Sequence, residues 1–312
     1  MDQHQTIQEV DLDTHQGMLR ACVGFSTPNV GLSSCYGSTE NWTEFFRRFK
    51  DSTIVHERSV GFNGIELAPD PTLVYEMRET VYRHAVTLYV TGVSSGTGEG
   101  KSAIGMMFDQ FDWTKSKLST VYMTNMDEED VLSFVQSLNE SCNLTRIVFH
   151  CNARVHVTEM FANACVRLPL LKNIDMRHNA TSSSALATIC NGHKGLDTFM
   201  VTNVNLSKKE NYELIVQMIV NTPNLVFIGL DRTCISRLAM KHIGDAMAVA
   251  PRLCGLSVCD NPMVDSDCIL HFFAAQPPQK KSVLCVTKSS VLAKIIPLIT
   301  AHSPNFKCLS AF

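Results

Sequence analysis

A short apolar pattern returns many times along this chain, and it limits the possible folds more than any other feature. The spacing apolar-x-x-apolar-x-apolar recurs from residue 85 onward, and a helix-like stretch follows it each time. Its instances begin at Ala85, Leu118, Leu144, Leu171, Leu196, Leu225 and Leu253, with weaker ones at Lys281 and Phe306. Successive starts are 25 to 33 residues apart. Repeats of this length are the signature of a stacked architecture, so we expect one strand and one helix per repeat.

The alternation inside each repeat predicts how the strand is oriented. Side chains of a strand point to opposite faces in turn, so Ile147 and Phe149 share one face and their neighbours occupy the other. A single repeat cannot bury its apolar face alone. Neighbouring repeats are therefore predicted to stack into a parallel sheet, with helices such as the one expected at 127–142 covering the apolar side.

Three of the repeats end in asparagine, in LTRIVFHCN (144–152), LKNIDMRHN (171–179) and LCGLSVCDN (253–261). These segments resemble the leucine-rich-repeat consensus, and the repeat length resembles its ribonuclease-inhibitor-like type. The resemblance covers residues 85–312 and implies an α/β fold, a leucine-rich-repeat solenoid (horseshoe) with a parallel concave sheet and convex helices. It is imperfect in two ways. Thr233 and Ser289 replace the terminal asparagine, and Asn125 and Asn203 lie one place early.

The first part of the chain predicts a different organisation. Residues 1–40 are polar, include a Gly/Ser-rich stretch at 24–38 and show no repeat, so we expect a polar N-terminal arm there. Residues 41–84 hold two amphipathic segments and are expected to form an N-terminal helical cap. Residues 85–312 would then form a solenoid of about eight repeats with a C-terminal closing strand.

Composition and charge indicate where the protein is found in the cell and which classes of partner it binds. Charged residues make up 18% and give a formal net charge of −3, so no global field favours nucleic acid or an anionic membrane. The first twenty residues lack an apolar run, and no long apolar segment follows. We therefore expect a cytoplasmic protein, in the cytosol or a cytoskeletal assembly, with neither nucleic acid nor a membrane as partner. The 12 cysteines are then expected to be free thiols.

A glycine-rich segment, VSSGTGEGKSAIG (93–105), leaves an alternative open. Gly98, Gly100, Lys101 and Ser102 imitate the end of a phosphate-binding loop and would be its nucleotide-binding residues. The imitation is incomplete, because the signature requires glycine where Ser95 stands. An insertion in the first repeat explains the same residues.

No arrangement of residues in the sequence predicts catalysis or metal binding. The chain has no CxxC pair, and its Ser, Cys and His residues show no recognisable constellation. We expect a non-enzymatic protein without cofactor or metal.

The concave face is the expected site for a protein partner, because aromatic residues and arginine often dominate protein interfaces. The alternation places the following residues there: Tyr89, Tyr122, Arg146, His150, Asp175, Arg177, Met200 and Phe227. Arg146, His150 and Arg177 are expected to form a basic cluster that receives an acidic or aromatic-bearing segment.

The sequence thus predicts a protein–protein interaction scaffold or a subunit of a larger intracellular complex. Two alternatives remain, a nucleotide-binding module using residues 95–102 and a substrate-receptor adaptor of a ubiquitin ligase. The second would usually carry an F-box-like helical segment, which the first 84 residues do not convincingly show.

Overall fold

The computed structural model describes residues 4–14, 16–18, 29–52, 58–95, 100–277, 280–286 and 306–310. It contains two compact units, which are treated separately. Unit 1 comprises Met1–Ala153 with Arg167–Leu171, and unit 2 comprises Arg154–Val166 with Lys172–Phe312.

Unit 1 alternates strands with helices. Its described strands are β1 (His4–Gln8), β2 (Asn29–Ser33), β3 (Arg58–Asn63), β4 (Ala85–Thr91), β5 (Thr120–Thr124) and β6 (Arg146–His150). Each pairs in parallel with the next along the chain. Its described helices are α1 (Thr39–Lys50), α2 (Pro71–His84), α3 (Ala103–Asp109) and α4 (Glu128–Ser137), with a 3₁₀ turn at Trp113–Lys115.

Unit 2 repeats the same plan. Its described strands are β7 (Asn173–Met176), β8 (Thr198–Val201), β9 (Phe227–Gly229), β10 (Gly255–Ser257), β11 (Ser282–Val286) and β12 (Phe306–Ser310), again parallel and in chain order. Its described helices are α5 (Val155–Cys165), α6 (Ser183–Gly192), α7 (Lys209–Asn221), α8 (Arg237–Val249) and α9 (Ser266–Ala275). The predicted α/β repeat architecture, with one parallel strand and one helix per repeat, is confirmed.

The core lies between sheet and helices, where the alternation predicts it. In β6, Ile147 and Phe149 are fully buried, while Arg146 at the start of the strand is exposed. Side-chain caps determine where helices begin. The side chain of Asp70 caps α2 by accepting from the backbone N–H groups of Thr72 and Leu73, each at 2.9 Å. Such a cap supplies acceptors for N–H groups that the first turn leaves unpaired.

The first 84 residues differ from the prediction, because three strands there extend the sheet. β1 and β2 lie within the predicted polar arm, and β3 lies within the predicted cap. The two helices expected in the cap are present as α1 and α2. The expectation of an arm without repeats was therefore wrong, whereas the division at residues 40 and 84 stays a prediction. The strand signal is visible in VGLSSC (30–35) and VGFNGI (60–65), which match LYVTGV (88–93).

A residue in the left-handed backbone region follows each described strand from β1 to β10. These residues are Glu9, Ser34, Gly64, Gly92, Asn125, Asn152, His178, Asn203, Arg232 and Asp260. Asparagine tolerates this conformation better than most residues. Asn125 and Asn203 lie one position before the consensus asparagine. They occupy this left-handed position and are therefore not displaced copies of the terminal asparagine.

The residue after the left-handed position closes the turn from inside. In unit 2, Asn179 and Asn261 are buried there, and their Nδ2 groups donate to the carbonyls three residues back, at 3.0 and 3.1 Å. Thr233, which replaces asparagine in its repeat, does the same with its hydroxyl, at 2.7 Å from the oxygen of Leu230. The substitution therefore preserves the hydrogen bond that turns the chain out of the sheet.

Candidate functional site

The two faces of the sheet in unit 1 differ in what covers them. One face packs on the helices, and the other, here called the open face, carries the residues that flank the buried positions. Strand register places four residues in one row across the middle of this face: Gly31, Gly61, Tyr89 and Tyr122. Glycines thus occupy β2 and β3, and tyrosines occupy β4 and β5.

The tyrosines and a neighbouring arginine form an ordered set, the tyrosine stack (Tyr89, Tyr122 and Arg146). The two rings lie 4.3 Å apart between centroids with an interplanar angle of 14°. The guanidinium carbon of Arg146 lies 5.4 Å from the centroid of Tyr122, on the β6 side. Aromatic pairs and cation–π contacts of this kind each contribute about 1 kcal/mol. Burial, followed by the adjacent Tyr122, raises the pKa of Tyr89, so the phenol of Tyr89 stays neutral at physiological pH.

Beside the stack, Gly31 and Gly61 form a recess, here called the glycine shelf. A Cβ added at Gly61 would lie 3.6 Å from Cβ of Tyr89 and 3.7 Å from Cα of Gly31, which are ordinary contacts. Among the described residues, the three atoms nearest to this Cβ position are Cβ of Tyr89 and backbone atoms of Gly31 and Val30, so none of them is an outer side-chain atom. Tyr89 remains 38% exposed. The ring face of Tyr89 that looks away from Tyr122 therefore lies on the side of the glycine shelf.

Polar pairs line the open face on the side where the strands end. The hydroxyls of Thr91 and Thr124 are hydrogen-bonded at 2.7 Å, and Nδ2 of Asn63 donates to Oγ of Ser33 at 3.2 Å. His150 continues the Thr91–Thr124 row at the end of β6 and is half-buried. The Asn63–Ser33 pair thus joins the ends of β2 and β3, next to the shelf, and the Thr91–Thr124 pair joins the ends of β4 and β5.

The open face of unit 2 uses its charges differently. Nε and one terminal nitrogen of Arg177 donate to the two carboxylate oxygens of Asp175, at 2.9 and 2.8 Å. This hydrogen-bonded carboxylate raises the pKa of Arg177. Asp175 is buried, with 7% of its surface exposed. Arg146 and His150 belong to unit 1 and Arg177 to unit 2, where Asp175 compensates its charge, so the expected basic cluster of the three stays a prediction.

Apolar side chains lie flat on the sheet of unit 2. A Cβ on Gly229 would lie 3.1 Å from Cγ of Met200, and a Cβ on Gly255 would overlap the ring of Phe227. Met200 and Phe227 are both half-buried in this position. Glycines in β9 and β10 therefore accommodate the side chains of the preceding strands. Sequence reasoning placed Met200, Phe227 and Gly229 on this face, but it did not foresee that Gly229 and Gly255 make room for the two larger side chains, which follows only from the strand register.

In the described part of the glycine-rich segment, the side chains that the alternative phosphate loop would use are engaged within the chain. Nζ of Lys101 pairs with Asp109 at 2.7 Å. Ser102 is buried, and its hydroxyl and backbone N–H donate to the carboxylate of Asp130 at 2.6 and 2.8 Å. A buried carboxylate at this position would repel a phosphate, so Lys101 and Ser102 are structural here.

The candidate nucleotide-binding residues also include two glycines. Gly100 is exposed with φ +77°, and Gly98 lies outside the described residues. Within the described ranges, no group of three or more His, Cys, Asp or Glu side chains could hold a metal. In the same ranges, no helix is long and apolar enough to span a membrane.

Comparison with solved structures shows the fold. A chain from the crystal structure of the yeast Rad7 and Elc1 complex aligns with a TM-score of 0.57 and 10% identity, covering 92% of this chain and 70% of that one. A Bacteroides fragilis protein aligns with a TM-score of 0.45 and 12% identity over 77% of this chain and 67% of its own, too weakly to support an argument. No family model and no curated protein sequence matches. The fold is a leucine-rich-repeat solenoid.

Proposed function

We propose that this chain is a non-enzymatic, ribonuclease-inhibitor-like leucine-rich-repeat protein that binds a partner protein through the open face of unit 1, as a subunit of a larger complex. The observation that carries the proposal is the tyrosine stack, in which Arg146, Tyr122 and Tyr89 are exposed or half-buried and already ordered. Tyrosine and arginine are the residue types most enriched at interface hot spots.

Preorganisation supports this site. The two rings are held by adjacent strands whose backbone is fixed by the parallel ladder. Little rotamer freedom is then left to lose when a partner binds, which lowers the cost of association. Repeat solenoids offer such rigid, extended surfaces for binding. The similar yeast chain was crystallised within a complex of two proteins, which agrees with a role of this kind.

The experiment is an affinity capture with the full chain, followed by comparison of variants. Tyr122→Ala and Arg146→Glu should each reduce capture of the native partner about tenfold, since the loss of a hot-spot contact costs about 1.4 kcal/mol or more. Tyr75→Ala is the matched control, because Tyr75 is 48% exposed and lies near two cations, Lys50 and Arg78, but sits on helix α2. It should capture the partner normally. Equal capture by all three folded variants would disprove the proposed interface.

The ubiquitin-ligase alternative is a special case of the same proposal. A substrate receptor would also use the open face, and it would in addition bring ligase subunits into the captured material. The identity of the co-captured proteins therefore separates a ligase adaptor from other complex subunits.

A further inference from the structure

We propose, on the basis of the function proposed above, that the glycine shelf receives the guanidinium group of an arginine from an extended segment of the partner, stacked on the ring face of Tyr89 that is turned away from Tyr122. The tyrosine stack is closed at one end and open at the other. Tyr122 lies between Arg146 and Tyr89, whereas Tyr89 has a ring on its β5 side only, among the described residues.

Strand register places the opening. The next two positions in the row are Gly61 and Gly31, so the sheet continues for two strands, about 10 Å, without a side chain in this row. Cβ of Tyr89 and backbone atoms of Gly31 and Val30 are the nearest neighbours of a Cβ built on Gly61. An added side-chain atom on Gly61 would therefore meet only ordinary contacts among the described residues, and the row offers a place beside Tyr89 for a planar group of a partner.

The charge around the shelf selects a cation. The loops that leave β1 to β4 carry the carboxylates of Glu9, Asp11, Asp13 and Glu66, and the described stretches 8–14, 34–38, 64–70 and 92–95 contain neither lysine nor arginine. Hydrogen bonds from the backbone N–H of Ser38 and the side chain of Asn41 lower the pKa of Asp13, which keeps it ionised. An acidic side chain in the shelf would be repelled by this rim.

A cleft beside the rim adds room for the same segment. It has a volume of about 300 Å³ and is lined by Ser34, Cys35, Tyr36, Gly37, Gly64 and Glu66. Tyr36 is 58% exposed and gives the segment a second aromatic surface. Glu66 provides a carboxylate in the wall of this cleft.

Arginine fits these features better than lysine does. Its planar guanidinium stacks parallel to an aromatic ring and stays charged, whereas an ammonium is a strongly hydrated point charge without a plane. Arg146 already shows this kind of contact on Tyr122 within the same row of strands. A partner arginine would extend the stack to a fourth member.

The test uses the full chain with ¹³C-labelled tyrosine rings and four soluble peptides, Ac-Ser-X-Ser-X-Ser-NH₂, in which X is Arg, Lys, Phe or Glu. We expect the arginine peptide to shift the Tyr89 ring signals in NMR titrations with an affinity at least fivefold above that of the lysine peptide. The glutamate peptide should give no saturable shift. Equal affinities for arginine and lysine, or a preference for phenylalanine, would refute the proposed occupant.

Variants locate the effect on the shelf. Gly61→Leu fills it and should abolish the arginine-dependent shift, whereas Ser59→Leu, two residues earlier on β3, should leave it unchanged. Tyr89→Leu removes the stacking face and should reduce the affinity for the arginine peptide to that for the lysine peptide. The ring signals of Tyr122 report this change. If Gly61→Leu does not fold, Tyr89→Leu alone tests the proposal. Arginine binding that persists in either folded variant overturns the inference. The capture experiment with Tyr122→Ala and Arg146→Glu does not depend on this result, so the two proposals can fail separately.

Discussion

The open faces of the two units use glycine in opposite ways. In unit 2, Met200 leans over Gly229 and Phe227 leans over Gly255, which produces a flush apolar surface. In unit 1, no described side-chain end takes the corresponding place over Gly61, and a recess remains beside Tyr89. A glycine in an exposed row therefore does not define the surface by itself, since the side chain of the neighbouring strand decides whether the space is filled.

The turns after the strands differ between the units in a similar way. The residue that follows the left-handed position in unit 1 is a buried apolar side chain, such as Val93 or Met126. In unit 2 it is a hydrogen-bonding residue in three repeats, Asn179, Thr233 and Asn261. Unit 1 thus closes its turns mainly by apolar burial, and unit 2 mainly by side-chain hydrogen bonds to the backbone.

The largest effect is expected for Asn261→Ala. Oδ1 of Asn261 accepts from the backbone N–H groups of Thr233 and Ile235 at 3.0 and 3.1 Å, and its loss leaves both buried donors without this partner. Unpaired buried donors cost about 1–3 kcal/mol each, so the free energy of unfolding should fall by about 3 kcal/mol. Urea denaturation measures this change. The exposed Asn224→Ala should alter stability by less than about 0.5 kcal/mol, and equal effects of both would contradict the role given to Asn261.

A smaller effect is expected when the two arginines are reversed in charge. Arg177→Glu places a second carboxylate beside buried Asp175 and should lower the free energy of unfolding by about 2 kcal/mol. Arg146→Glu removes only an exposed cation–π contact and should cost about 0.5 kcal/mol. Thermal and urea unfolding of both variants check the difference. If Arg177→Glu unfolds like wild type, its pairing with Asp175 does not stabilise unit 2.

The smallest effect concerns the glycines themselves. Gly255→Ala forces the Phe227 ring to move and should destabilise the protein by about 1 kcal/mol. Gly61→Ala meets only ordinary contacts and should be neutral or slightly stabilising, by up to about 0.5 kcal/mol, because alanine restricts the unfolded chain more than glycine does. Opposite signs in urea denaturation would support the contrast between the two faces. A clear loss of stability in Gly61→Ala would show that the space over the shelf is already occupied.

Sequence reasoning predicted the repeat architecture from residue 85 onward, including repeats in which apolar Val93 or Met126 takes the place of the terminal asparagine, but it missed the strands before residue 85. The strands at 29–33 and 58–63 were missed because the first position of the apolar pattern is polar in both, Thr27 in one and Glu57 in the other. The stacking of Tyr89 on Tyr122 follows directly from repeat spacing. The pairing of Arg177 with Asp175 does not, because it depends on side-chain rotamers within one strand.

The spacing of the strands in unit 1 also limits which side chains of a crossing extended segment can lie directly over a strand. Adjacent strands repeat every 4.8 Å or so, whereas an extended chain presents side chains of one face about every 6.8 Å. The two periods coincide after roughly 14 Å, which is three strand spacings and four partner residues. Gly61 on β3 and Val148 on β6 lie in one row three strands apart, and Arg146 lies two residues earlier on β6. A partner that places one residue over Gly61 would thus bring its fourth following residue to Val148, so the sheet discriminates the spacing of partner side chains as well as their identity.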